Sequence, residues 1–552
     1  MSESPYHYLS HAYGRNHFTV DRPFQAILRF HLNSVPDLSR LGEFAGKDLY
    51  EVADYVDKFG HPEHIMWSVD GERVDRAWMA PSEMRALDWL MTEAAVNRGP
   101  YRRGDWFEHF AVLYLVADPG IGCILTVTNQ TAYAIYKYGD ASAKAFLPSL
   151  LGEGDRIRYG ATWFTEIQGG SDLGANRVQA SFHEGGWTID GDTKYFASNA
   201  GLAELALVTA RVEGGARGAK GLGLFLVPEH DRGGKRNFMV RRLKKKSGTI
   251  GVPTGEVEFH RSEALLLGSA ENGVYYTLEN LMVSRLANSV AALGIARKAY
   301  LEAYYYAQAR SAFGRRLIEH PLVRRDLLDL EVAIEGALAL AFRAIEEFQS
   351  SWTDVPPYGP TYHYARLLTH IAKNITADMS AYVTKAAMEL HGGVGFLREF
   401  PVERWHREAL ITPIWEGPSN IQALDLLEVI AKKGAEKVLL QEVERTATES
   451  RTGQPSVALA RARIEQTLSS LSSYSEAEAQ FFGKDVLNDL GHSIAVLQLV
   501  RISNSLHSPR WGRVAALYAR KYLEGKRYDL PTAAEVEETI GIDRSPEGAL
   551  PS

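Results

Sequence analysis

The chain has 552 residues, 45% of them apolar, with 61 Lys and Arg against 68 Asp and Glu and a formal net charge of −7. That length allows several modules with substantial cores, and the acidic balance argues against a wholly basic nucleic-acid surface. A single cysteine, Cys123, excludes an internal disulfide framework and a cysteine-based zinc site and fits a reducing cytosol; the 17 histidines are scattered without HExxH spacing, so no metal is expected.

In chain order, residues 1–160 read mainly as helices, with apolar residues at helical intervals in Ser82 to Ala95 and Asp140 to Leu151. MSESPYHYLSHAYG has no charged-then-apolar leader pattern, and the apolar run Phe110 to Ala117 is far too short to cross a bilayer, so no membrane association is expected. Residues 161–268 change texture. Short alternating runs at Trp187 to Asp190 and Glu256 to Phe259, broken by Gly-rich turns at Gly214 to Gly223 and Gly233 to Gly234, predict a compact β domain. Helix returns over 269–430, with a nearly unbroken amphipathic pattern up to Arg310. Residues 431–552 form an extra helical region, in which Phe482, Val486, Leu490, Ile494 and Leu497 mark a buried stripe. A further helix is predicted from Pro509 to Leu523, with Pro509 in its first turn. The overall class is mainly α with a central β domain.

Chemistry concentrates in Glu389 to Gln422. Gly392, Gly393 and Gly395 remove side chains where backbone must approach something flat or charged. Glu416 sits between Trp415 and Gly417 in an apolar setting, where a carboxylate kept from water has a raised pKa and can act as a base toward a carbon acid. Taken alone, a glutamate in such a place more often caps or pairs structurally. A second segment, Thr162 to Ala175 (TWFTEIQGGSDLGA), is rich in backbone N–H groups and hydroxyls suited to a pyrophosphate or a heterocycle edge.

Together these segments resemble the acyl-CoA dehydrogenases. Glu389, Gly392, Gly393, Gly395, Phe396, Glu399, Arg404 and Glu408 fill the defined positions of that family's C-terminal signature, and IWEGPSNIQ resembles its base-bearing segment. Thr165, Glu166, Gly169, Gly170, Ser171 and Asp172 fit the other signature. Trp163 and Phe164 are bulkier than usual there, so a differently shaped flavin-side wall is expected. KYFASNA resembles the strand that presents an aromatic and a hydroxyl to the flavin, here Phe196 and Ser198. RSAFGRRL resembles the Arg-x-x-Phe-Gly element that reaches FAD in a neighbouring subunit through Arg310 and Phe313; the glutamine common eleven residues after the arginine is replaced by Pro321.

The resemblance implies a helical, β-barrel-like, helical fold, to which the C-terminal helices are added. It implies Glu416 as the base, with hydride transfer to N5 of FAD. Phe164, Thr165, Gly170, Ser171, Phe196, Ser198, Arg310, Phe313, Gly392, Gly393, Trp415, Gly417 and Asn420 are the implied cofactor contacts. Arg285 is expected to orient Glu416 or to meet substrate; a pairing with surface acids is the alternative. The implied partners are an acyl-CoA substrate, an external acceptor (an electron-transferring flavoprotein or oxygen) and three further subunits of a cytoplasmic homotetramer in fatty acid metabolism.

The long N-terminal portion and the C-terminal addition resemble one branch of the family, the isovaleryl-CoA-dehydrogenase-like flavoproteins of the DNA-alkylation response (AidB-like). That branch implies a second reading, a protective flavoprotein that binds duplex DNA without reading sequence. Arg513, Arg520 and Arg527 recur at seven-residue spacing and are the candidate phosphate contacts. Such a basic row is more often a solvated face, and the aromatic cluster Trp511, Tyr518 and Tyr522 more often core.

Overall fold

The computed structural model describes residues 4–451 and 453–524. An N-terminal set of helices comprises α1 (His17–Val20), α2 (Arg22–Leu32), α3 (Ser39–Gly46) and α4 (Asp48–Lys58). A hairpin of β1 (Glu63–Trp67) and β2 (Arg73–Trp78) follows, which the sequence reading did not anticipate. Then come α5 (Pro81–Thr92), α6 (Arg98–Arg103), α7 (Trp106–Val116), α8 (Pro119–Tyr138), α9 (Ala141–Lys144) and α10 (Leu147–Leu150). The apolar run ending at Ala117 is largely α7, buried on nearly every side within the core. No described helix is long and apolar enough to cross a membrane.

The β region runs through β3 (Gly160–Trp163), β4 (Gln179–His183), β5 (Gly186–Ala197), β6 (Leu205–Val212), β7 (Leu222–Pro228), β8 (Met239–Leu243) and β9 (Gly255–Leu266). Strand order β6-β4-β5-β9-β7 returns to β6 through the antiparallel β6–β7 pairing, so five strands close into a ring, with β3 beside β6 and β8 beside β9. Closure leaves few unpaired edges. The ring encloses its own apolar core, containing Trp163, Val178, Phe225, Phe238 and Phe259. Inside it, Lys194 is fully buried and paired with Glu166 at 2.8 Å, while the Glu166 carboxylate also accepts from the backbone N–H groups of Arg177 and Val178. Burial pushes Lys194 down to about 8 against the pull of that carboxylate. Glu166 therefore serves the barrel's interior.

The long helices α11 (Gly273–Ala309), α12 (Pro321–Ser351) and α13 (Pro360–His391) follow, with the short hairpin β10 (Ser311–Ala312) and β11 (Arg315–Arg316) between the first two. The chain continues through α14 (Pro401–Ala409), α15 (Ser419–Lys433), α16 (Ala435–Glu449), α17 (Gln454–Ser473), α18 (Glu476–Phe481), α19 (Gly483–Ser505) and α20 (Pro509–Tyr522). The added C-terminal helices share one apolar core with α11–α13 and the N-terminal helices; Ile464, Leu490, Ile494 and Tyr518 belong to the same cluster as Phe24 and Phe342.

Buried charge ties the addition down. Glu442 accepts from Arg343 Nη2 at 2.7 Å, from the Tyr364 hydroxyl at 2.7 Å and from Gln498 Nε2 at 2.6 Å. Arg510 forks onto the fully buried Glu335. The aromatic cluster of α20 is core on its buried side. Trp511 and Tyr518 are buried, and a Cβ placed on Gly336 would lie 2.0 Å from the Tyr518 ring. Gly336→Ala is therefore expected to force α20 off α12 and cost about 1–3 kcal/mol; a denaturant melt with an unchanged midpoint would show that this helix contact is not tight.

Candidate active site

Glu416 and Gly417 have φ of 57° and 91°, two left-handed residues in succession. Glycine adopts this freely, whereas for glutamate it costs of order 1–3 kcal/mol and persists only where surroundings hold it. Three helices hold it. Arg285 Nε of α11 donates to the Glu416 carbonyl at 3.0 Å, and Gln422 Nε2 of α15 to the same oxygen at 2.9 Å. Gln422 Nε2 also reaches the Gly417 carbonyl at 2.8 Å, which accepts from Lys373 Nζ of α13 at 2.8 Å. Arg285 is in turn fixed by Asp425 at 3.1 Å and lies 3.2 Å from His370 Nδ1, itself 2.9 Å from Gln422 Oε1. Burial drives His370 down to about 3, so the ring is neutral at physiological pH.

This clamp aims the Glu416 side chain into a pocket between the face of α11 carrying Ser284, Ala287 and Asn288 and the start of α8 carrying Gly122 and Cys123. Ser284 donates to Glu416 Oε2 at 2.5 Å, and the Trp415 indole N–H donates to Asn288 Oδ1. Burial raises the Glu416 pKa above the ordinary carboxylate range, opposed by the Ser284 hydrogen bond and by the charges of Arg285 and Lys373. Burial likewise lowers Lys373 to about 8 and pushes Cys123 up to about 12. A carboxylate with a raised pKa in a largely apolar pocket is suited to taking a proton from carbon.

The remaining predicted residues fall into four groups. At the end of β5, Phe196 is half exposed, and Ser198 Oγ bonds the Thr162 carbonyl at 3.2 Å. Asn199 Nδ2 ties this strand end to the carbonyls of Gly160 (2.8 Å) and Ile124 of α8 (3.4 Å), next to Cys123. In the turn after β3, Ser171 is exposed, and Gly170 packs so closely that a Cβ would meet Thr165 Oγ1 at 2.4 Å. Phe164 is buried, and its carbonyl accepts from Asn176 Nδ2. After α13, Gly392 and Gly393 are exposed, with nothing within 4 Å of where their Cβ atoms would be, and Gly392 has φ 62°. Asn420 is exposed in the first turn of α15. These bare glycines, the exposed aromatic and the hydroxyl-lined turn are the kind of surface a flavin and its pyrophosphate need, so the residues fit the group.

The fourth group faces away from the subunit's own core. Arg310 is exposed at the end of α11, and Phe313, 93% exposed, forms with Gly314 the two-residue turn of the β10–β11 hairpin at φ 53° and 78°. Such a turn favours Asn-Gly; a bulky residue in its first position is strained.

Two expectations are corrected. Trp163 does not shape a flavin wall: it is wholly buried in the barrel core against Phe238, its indole N–H on the Ser198 carbonyl at 2.8 Å. Arg285 is not among the residues lining the pocket; its guanidinium is engaged by the Glu416 backbone and Asp425, so of the roles expected for it the orienting one fits and substrate contact does not. Sequence reasoning missed Ser284, Asn288, Lys373 and Gln422. Ser284 lies beside the singled-out Arg285, but a lone serine within a helix gives no signal of its own, and Lys373 is remote in sequence and carries no local signal.

The family models for the acyl-CoA dehydrogenase middle domain and C-terminal domain match residues 161–262 and 271–431. The chain is 33% identical to the putative acyl-CoA dehydrogenase AidB of Escherichia coli K12 over 69% of its own length and 71% of that protein's. The chain belongs to the acyl-CoA dehydrogenase family. Its fold matches Caenorhabditis elegans ACDH-11 in complex with C11-CoA at a TM-score of 0.87 and 22% identity, covering 100% of this chain and 98% of that one. It also matches a Bacillus anthracis acyl-CoA dehydrogenase complexed with FAD at 0.70 and 16% identity, covering 91% and 85%. Membership makes this chain an oxidoreductase of the class acting on CH–CH bonds of acyl-CoA thioesters.

The C-terminal arginines are less available than their spacing suggests. Arg513 and Arg520 are exposed on α20, but that helix ends at Tyr522, and Arg527, like the acidic Glu535, Glu537 and Glu538, lies outside the described residues. Of the neighbouring basic residues, Arg501 pairs with Glu442 and Arg510 with Glu335.

Ser284 stabilises the ionised form of Glu416, the form a base requires. Ser284→Ala is thus expected to raise the Glu416 pKa, moving the acid limb of the pH–rate profile for substrate-driven flavin reduction to higher pH without loss of flavin. An unmoved limb would mean that another group titrates there.

Proposed function

We propose that the protein is an FAD-dependent acyl-CoA dehydrogenase in which Glu416 removes the α-proton of an acyl-CoA thioester while a hydride leaves the β-carbon. The observation that carries this reading is the Glu416 carboxylate, aimed by a strained and clamped backbone into an apolar pocket and raised in pKa by burial. Bound FAD supplies the hydride acceptor. Phe196, Ser198, Gly392 and Gly393 would lie against its ring and phosphates on the one subunit. Arg310 would neutralise phosphate on a neighbouring one, since a guanidinium pairs with such oxygens bidentately.

The chain's own part in the reaction is to position and to exclude. Arg285, Gln422 and Lys373 fix where the carboxylate points, and Ser284 sets which of its oxygens is hydrogen-bonded, leaving Oε1 to receive the proton. Trp415, held on Asn288, closes the pocket beside the base. The positive charges of Arg285 and Lys373 oppose burial and favour the ionised form of Glu416 that can accept the proton. A second reading, attachment to duplex DNA, has less support, because Arg501 and Arg510 serve the fold and only Arg513 and Arg520 remain as described exposed members of the row.

Glu416→Gln is expected to retain flavin but lose acyl-CoA-dependent bleaching by about two to four orders of magnitude; anaerobic titration with thioesters reads both, and bleaching at the wild-type rate would remove Glu416 from the mechanism. The cross-subunit role has its own test. Phe313→Asn suits the left-handed turn better than phenylalanine, so the hairpin should survive while FAD content falls and the oligomer loosens. Unchanged flavin stoichiometry and unchanged size by light scattering would leave Phe313 with no role between subunits.

A further inference from the structure

The pocket that holds Glu416 also contains a buried donor with no acceptor among the described residues. Asn288 is 3% exposed, and its amide orientation is fixed: the Trp415 indole N–H can only donate, so the oxygen of Asn288 must face it. That leaves Nδ2, a buried group with no hydrogen-bond partner among the described residues. An amide N–H left this way costs about 1–3 kcal/mol.

The other polar groups around the pocket do not relieve it. Ser284 is committed to Glu416, and Asp118 to Arg404 at 2.6 Å. The Thr126 hydroxyl donates to the Gly122 carbonyl at 2.8 Å. Cys123 stays a neutral thiol. Asn288 stands one helical turn beyond Ser284 on α11, about 6 Å along the axis from the residue that holds the base. A chain whose α-carbon meets Glu416 and which runs along α11 brings its later carbons, not its thioester, to Asn288.

We propose that the preferred substrates are acyl-CoA thioesters carrying an oxygen acceptor, such as a hydroxyl or ketone, some carbons beyond the site of dehydrogenation, and that Asn288 Nδ2–H recognises that oxygen. The proposal rests on the dehydrogenase reading and names the substrate class for it. Asn288 is a specificity residue in this scheme: it forms no bond in the reaction and takes no proton.

The test is anaerobic flavin reduction by the FAD-loaded enzyme with straight-chain thioesters from butanoyl-CoA to octanoyl-CoA and with ω-hydroxy chains of matched length. At one chain length the hydroxylated substrate is expected to exceed its alkyl counterpart by about 10- to 100-fold in kcat/KM. Asn288→Asp keeps an oxygen for Trp415 but removes the N–H donor, so this preference should vanish. Because the preference is a ratio within one variant at one pH, any change in the Glu416 pKa cancels. Asn288→Leu, close in size and without a polar hydrogen, provides a second, uncharged loss of the amide donor. Equal or better reduction by alkyl chains throughout, or a preference that survives both variants, would overturn the recognition role and leave Glu416 untouched. If Asn288 held the thioester oxygen instead, both variants would slow all substrates alike with the ratio unchanged, which also overturns the proposal. Absence of bleaching with every thioester would instead remove the dehydrogenase reading beneath it.

Discussion

Two consecutive left-handed residues, Glu416 and Gly417, cannot stay in place by local preference, and the site is organised around holding them. Their carbonyl oxygens receive Arg285, Gln422 and Lys373 from α11, α15 and α13. Each of these donors comes from a different helix, so the turn reports on the relative placement of all three. The strain is the reason the clamp is needed, and the clamp is the reason a flexible glutamate side chain can present one carboxylate oxygen in a fixed direction.

The clamp depends in turn on the packing of helices far from the pocket. α11, α12 and α13 lie side by side in one core that also takes in the C-terminal helices. The Glu442 network and the Arg510–Glu335 pair fix α16, α19 and α20 against α12 and α13. Breaking such a buried pair by removing one partner leaves an uncompensated charge, which is far more costly than never having built it. The added helices therefore bear on the position of Lys373 through α13, although none of them lines the pocket. The barrel contributes from the other side, where Asn199 bonds α8 beside Cys123.

Much of this was legible in the sequence and some of it was not, for physical reasons. The helical, β, helical order follows from hydrophobic periodicity, and the helix Gly273–Ala309 ends where the helical pattern does, but it is buried on nearly every side rather than amphipathic as expected. Glu416 could be named because its neighbours on both sides form a recognisable run. The β1–β2 hairpin was missed because its strands are short and at most partly buried apart from Asp75, so no run of alternating buried apolar residues marks them. Arg285 could be placed near the base but not turned toward its backbone carbonyl, since side-chain direction depends on Asp425 and His370, remote in sequence. Trp163 read as part of a flavin wall because position in a motif gives the residue but not the face of the strand it occupies. Asn288 carried no signal at all; its importance appears only when the hydrogen bonds around it are accounted for one by one.

The central claim is that a clamped, desolvated Glu416 carboxylate removes a proton from the carbon beside the thioester. The most direct measurement is stopped-flow flavin reduction by α-dideuterated and unlabelled acyl-CoA across a range of pH. The account requires a primary isotope effect of several-fold and an acid limb above the ordinary carboxylate range, set by the burial of Glu416. Reduction insensitive to α-deuteration, or an acid limb no higher than that of a solvated glutamate, would contradict it.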